Sequence, residues 1–166
     1  RLLKNVMGLW ILQECRRYWQ ERGSAYEYSE LVRLAAESGW ESGLFDPDDE
    51  LFYQPGPMPE LIASYLEARG KKAPREVGDV VRCVLLSLAC KYRYVLECIE
   101  YACGYELPAM HIVGGGSSNT LLNQLTANIT GKPVYAGPSE ATALGNAIVQ
   151  FIALGEFASL DEARSA

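Results

Sequence analysis

The residues best placed to do chemistry lie in 111–131, which read HIVGGGSSNTLLNQLTANITG. A short apolar strand (Met110, Ile112, Val113) breaks on Gly114, Gly115 and Gly116, then runs into a helix. Leu121, Leu122, Leu125 and Ile129 share one face of that helix. Glycine has no Cβ, so a ligand can approach bare backbone there. The N–H groups of a helix's first turn lack intrahelical partners and attract electron-rich groups. The spacing therefore predicts a nucleotide-binding turn. On the turn alone, a tight structural turn with Asn119 as its cap is an equally good reading. A P-loop is excluded, because Gly131-Lys132 is followed by Pro133 where Ser or Thr is required. The dinucleotide fingerprint is excluded too, because position 119 is Asn where a third Gly is needed.

Two polar residues elsewhere attract notice. Asn5 and Gln13 stand among apolar residues eight positions apart, about two helical turns, so a helix would point them to a similar side. Gly8 between them costs about 1 kcal/mol of helix propensity relative to Ala. On spacing alone, ordinary surface polarity is the better reading of both. The acids of 45–60 (FDPDDELFYQPGPMPE) lack the Gly turn and closing Glu of a calcium loop, and predict an ordered surface excursion.

The elements that must hold these residues follow from pattern. An amphipathic helix is expected from about 2 to 21, and a second, capped by Ser29, stops at Gly39. A third covers 58–69 with Pro59 in its first turn. The longest runs from 76 to about 103, ending at Gly104. After the central turn, a second strand at 133–136 leads to a last helix opened by Ser139, with Glu140 in its first turn. The small residues of that helix, with Gly145, predict very close packing. This order predicts an α/β layer with parallel strands. Two strands alone make a marginal sheet, so further strands are expected before Arg1.

The chain has 166 residues, 49% of them hydrophobic and 22% charged, and a net charge of −6. One domain with a real core fits that length. The negative balance argues against broad nucleic-acid binding, which needs basic surface. No apolar run reaches the length of a membrane span, the best candidate being interrupted by Arg82 and Lys91. The five cysteines (Cys15, Cys83, Cys90, Cys98 and Cys103) include no CxxC pair, and a single His offers little for zinc. Cys83, Cys90 and Cys98 recur near helical period on one segment, so buried free thiols are expected there, and the odd count points to a reducing cytoplasm.

With the elements placed, the whole chain resembles the C-terminal, ATP-binding domain of the FGGY carbohydrate kinases, within the actin-like, ribonuclease-H-like ATPase superfold. The resemblance rests on RLLKNVMGLWILQE, FDPDDELFYQPGPMP, HIVGGGSSNTLLNQLTANITGKPV and AGPSEATALGNAIVQ. Within the family these motifs are closer to the rhamnulokinase branch than to glycerol or xylulose kinases. The resemblance implies transfer of the ATP γ-phosphoryl group, with Mg2+, to a ketose hydroxyl, for this branch the C1 hydroxyl of L-rhamnulose. It implies that Gly115, with Gly116 beside it, brings backbone against the adenosine part of ATP and that Asn119 bonds near the base. Gln13 matches a nucleotide-contacting glutamine, Gly8 the glycine near it, and Asn5 a position that reaches the sugar. The resemblance thus overrides surface polarity as the reading of Asn5 and Gln13.

The proton-accepting Asp of the family stands upstream of these residues, in a Gly-x-x-Asp-like context, with the phosphate loops and most sugar contacts. Asp46, Asp48, Asp49 and Glu140 do not match it, so no catalytic residue and no metal ligand is expected in this chain. The expected partners are ATP, the sugar and the N-terminal domain of the same kinase, with no nucleic acid and no membrane. Residues 1–166 are then an incomplete C-terminal domain, inactive alone. The alternatives are another sugar of the family, a non-catalytic nucleotide-binding or interaction module, and a helical scaffold whose glycines only make turns.

Overall fold

A computed structural model of the protein describes residues 2–165. The chain folds as α1 (Trp10–Glu21), α2 (Tyr28–Glu37), α3 (Met58–Glu67) and α4 (Val77–Cys103). Then follow β1 (Met110–Ile112), α5 (Thr120–Thr130), β2 (Val134–Ala136), α6 (Ala141–Ala153) and α7 (Leu160–Ser165). Single turns of 3-10 helix at Glu50–Phe52 and Gly115–Ser118 complete the described elements.

The scaffold is α4, 27 residues and about 40 Å long. Its periodic stripe is buried as far as Ala89, with Val80, Val81, Val84, Leu85 and Leu88 at 0–2% exposure. Beyond that point only Leu96 is buried, and the helix runs out along the surface to Gly104, its left-handed C-cap. One face takes α2 and another α5, while α1 packs chiefly on α3. Arg82, a charged residue in this apolar stripe, is satisfied by donating to the carbonyls of Ala35 and Trp40, where α2 ends. Gly78 lets α2 come close: a Cβ there would stand 2.6 Å from the Leu34 carbonyl oxygen.

β1 and β2 pair in parallel, with Met110 beside Val134 and Ile112 beside Ala136. The pairing carries past the strands, because Met110 N–H donates to Pro133 O, Gly137 N–H to Ile112 O and Gly114 N–H to Pro138 O. α5 is the crossover between the two strands, packed on α4.

Several expectations are corrected. Residues 2–8 are not helical, and α1 begins only at Trp10. The Met7 N–H donates to Asp48 Oδ1 at 2.7 Å, a tertiary bond that draws this stretch away from α1, and Gly8 adds its own penalty against helix. α2 starts at Tyr28 with Glu27 at its N-cap, so Ser29 lies inside it; the Tyr28 ring packs on the core and pulls the start forward. The excursion at 45–60 is ordered but not confined to the surface. Phe45 and Phe52 plug the core at 5% and 0% exposure, their rings 4.7 Å apart. α6 has no buried residue, and a Cβ on Gly145 would meet nothing within 4 Å, so its small residues are not closely packed here. All five cysteines are free, but only Cys15 and Cys83 are buried, while Cys98 is exposed because α4 has left the core by then. Among the described residues no helix is long and apolar enough to cross a membrane.

Candidate functional site

Ligands of parallel α/β units bind in the crevice beyond the carboxyl ends of the strands. In this chain that place is the turn between β1 and α5. Gly114 begins it with φ +82°, a backbone region that favours glycine. Ser117 then closes the 3-10 turn, its N–H and its hydroxyl both donating to the Gly114 carbonyl. Asn123 Nδ2 donates to the Ser117 carbonyl at 2.8 Å and ties α5 back onto the turn. The turn is therefore built rigidly from its own side chains.

Gly115 and Gly116 are a different matter. Neither has a positive φ, and a Cβ on either would meet nothing within 4 Å. Backbone conformation and internal packing both leave room for a side chain there. Open space over bare backbone is what close approach by a ligand needs.

Two clefts flank this turn. The first, about 490 Å³, is lined by Gly8, Leu9, Tyr92, Gly116, Leu122 and the strand β1 with Val113. The second, about 340 Å³, is lined by Leu9, Tyr28, Ser29, Val32, Gly115, Ser118, Asn119 and Thr120. Leu9, at the N-cap of α1, belongs to both. The tyrosines keep their protons at neutral pH. Burial raises the Tyr92 hydroxyl above its usual value, and burial raises Tyr28 too against the opposing charge of Arg16.

Asn119 is 5% exposed and serves α5 as its cap, Oδ1 accepting from the Leu122 N–H at 2.9 Å. The cap leaves its Nδ2 buried with no protein partner. A buried donor left unmade costs about 1–3 kcal/mol. Asn119 thus acts as a cap and also holds a spare donor beside a cleft.

The structure brings Gly8, Gly115, Gly116 and Asn119 to the walls of these two clefts. It does not bring Asn5 or Gln13 there. Both are exposed, Asn5 in the non-helical stretch and Gln13 on α1, so the shared helix face that their spacing predicted does not exist. Leu9, Tyr28, Ser29 and Val32 escaped sequence reading, because α1 and α2 carry them to the turn from a hundred positions away.

What the turn presents is bare backbone and one unpartnered amide; among the described residues its clefts show no nucleophile with an adjacent base. Asp46 and Asp48 are engaged by Lys91, and Glu140 is exposed beyond β2. Among the described residues no three of His, Cys, Asp and Glu stand together as a metal site.

Residues 1–154 match the FGGY family of carbohydrate kinases, C-terminal domain, and the chain belongs to that family. Its helix-rich α/β build with a small parallel sheet is that of the family's actin-like, ribonuclease-H-like ATPase fold. The chain is 43% identical over 156 residues to a rhamnulokinase of Bacteroides thetaiotaomicron, covering 94% of this chain and 31% of that protein. It is 42% identical over 164 residues to a rhamnulokinase of Halalkalibacterium halodurans, covering 99% of this chain and 34% of that protein. Against the rhamnulokinase of Bacillus subtilis it is 36% identical, covering 99% and 33%. The chain spans about a third of the length of the curated relatives it matches.

Proposed function

We propose that this chain supplies the nucleotide-binding side of an ATP-dependent ketose kinase, with L-rhamnulose as acceptor and L-rhamnulose 1-phosphate as product. The rhamnulokinase names of its relatives support that substrate. In the reaction the sugar hydroxyl oxygen bonds to the γ-phosphorus, the bond to the β-phosphate oxygen breaks, ADP leaves, and a base takes the hydroxyl proton. Catalysis of this kind rests on positioning and electrostatics more than on covalent chemistry. The base, the phosphate loops and most of the sugar pocket belong, in this reading, to the rest of the polypeptide. The residues here bind and orient the nucleoside. Gly115 and Gly116 admit its approach to backbone, and Asn119 Nδ2 donates to it. Gln13 and Asn5 stand outside the clefts, facing solvent from which the remainder of the polypeptide or the ligands reach them.

The observation that carries the reading is the buried, unpartnered Nδ2 of Asn119, a residue that lines the same cleft as Gly115, whose missing side chain nothing in the fold requires. Two substitutions in the full-length polypeptide separate cap from ligand contact. Asn119→Asp keeps the Oδ1 acceptor for the Leu122 N–H and removes the donor; Asn119→Ala removes both. Both should weaken ADP binding by about 1–2 kcal/mol, while only the Ala variant loses the cap's contribution of about 1 kcal/mol to stability. An Asn119→Asp protein with unaltered affinity for ADP and unaltered KM for ATP would remove Asn119 from the site.

A further inference from the structure

The stretch 2–8 leads into Gly8 and Leu9, which wall the two clefts, yet it has no helix or strand to hold it. Among the described residues its hydrogen bonds reduce to one, from the Met7 N–H to Asp48 Oδ1 at 2.7 Å. Its one ion pair, Lys4 with Asp48 Oδ2 at 3.7 Å, goes to the same carboxylate. Asp48 is itself fixed. Lys91, from the middle of α4, sits 3.1 Å from Oδ2 and donates to Asp46 Oδ1 at 2.8 Å; both the Asp48 and the Lys91 side chains are only 12% exposed. The Asp48 N–H donates to Asp46 Oδ1, and the Tyr53 hydroxyl donates to the Asp48 carbonyl. A continuous polar chain therefore runs from the rigid scaffold helix through Lys91 and Asp48 to the backbone one residue before Gly8.

We propose that Asp48 is a positioning residue for nucleotide binding, which holds the backbone at Met7 so that Gly8 and Leu9 face the glycine turn. This inference rests on the nucleotide reading above. A backbone hydrogen bond and an ion pair on one carboxylate, itself anchored to α4, are more than a surface loop needs to stay folded, since Phe45 and Phe52 already pin that loop in the core. The excursion at 45–60 then has two jobs, an aromatic plug on one side and a carboxylate tether on the other.

The test uses the full-length polypeptide with Asp48→Ala, Asp48→Asn and Lys4→Ala, read by ADP titration calorimetry and by amide exchange at Met7. Asp48→Ala should free the Met7 amide to exchange and weaken ADP binding about tenfold, the scale of one charge-assisted hydrogen bond. Asp48→Asn keeps an acceptor at Oδ1, so it should retain most of the Met7 protection and bind within about threefold of the unsubstituted protein. Lys4→Ala, an exposed change that cannot unfold the chain, should cost less than Asp48→Ala and more than nothing, because it loosens the same segment. A role confined to stability would lower the melting temperature of Asp48→Ala without altering its ADP affinity well below that temperature. That result, or equal losses in Asp48→Ala and Asp48→Asn with Met7 still protected in both, overturns the tether alone. Absence of ADP binding by the unsubstituted protein overturns the nucleotide reading, and the tether's purpose with it.

Discussion

At the scale of single residues, the Lys91 cluster sets a pH signature. Burial pushes Asp46 up, but the hydrogen bonds from Lys91 and from the Asp48 N–H prevail and hold its carboxyl below the ordinary 3.8. Lys91 is lowered by burial and raised more by its bonds to Asp46 and Asp48, so it ends above its ordinary 10.5. A depressed carboxylate gives stability above its unfolded pKa and loses it as pH falls through the folded one. A raised ammonium gives stability below its unfolded pKa and loses it as pH rises through the folded one. The gap in melting temperature between the unsubstituted chain and Lys91→Met should therefore be widest near neutral pH, shrinking below about pH 4 and above about pH 10.5. A gap that stays constant from pH 3 to pH 11 would show that the cluster's charges do not matter. The thiols make a second residue-level test. Burial pushes Cys83 up to about 12 and Cys15 further, so neither should react with a thiol reagent while folded, whereas exposed Cys98 should react at once. Rapid labelling of Cys15 in native protein would contradict its burial. What the sequence could reveal at this scale was limited by distance. The glycine turn and Asn119 were readable because the motif is contiguous. Asn5 and Gln13 were misplaced on a common face because the decision against helix at 2–8 is made by Asp48, 41 positions away.

Among the elements, the α2–α4 contact invites a substitution whose sign is informative. In an exposed helix Gly→Ala gains about 1 kcal/mol. Gly78 lies in the first turn of α4, where a Cβ would come within 2.6 Å of the Leu34 carbonyl oxygen, backbone that cannot swing aside. Gly78→Ala should therefore destabilise the chain by about 1–3 kcal/mol, measured by urea unfolding. A stabilised variant would show that α2 does not pack as described. The helices α3, α4 and α5 were legible because their apolar period is sustained and their ends carry Pro59, Gly104 and Gly131. α7 was missed although it has its own signal, a Ser159–Glu162 pair of capping-box type: the Glu162 N–H donates to Ser159 Oγ, and the Glu162 carboxylate accepts from the Ala158 N–H. The closeness expected around α6 failed because small residues permit tight packing without supplying the partner.

For the whole molecule, burial is distributed unevenly along the chain. The core cluster draws on α1 to α5 and the excursion, and ends at Leu125. α6, by contrast, leaves Leu144, Val149 and Phe151 at 46–60% exposure. Amide exchange of this chain should show α4 as the slowest element and α6 as faster by orders of magnitude. Equal protection of the two would mean that α6 is covered in solution. The same asymmetry bears on how the chain is made. Among the described residues no side chain after Thr126 is buried, so every group the interior needs has left the ribosome before β2, α6 and α7 have emerged. The helical half can close during synthesis, and β2 then adds in parallel to β1 at the edge of a body already formed. A nascent chain halted once Gly131 has cleared the ribosome should accordingly resist protease through α1–α5 before α6 and α7 have emerged.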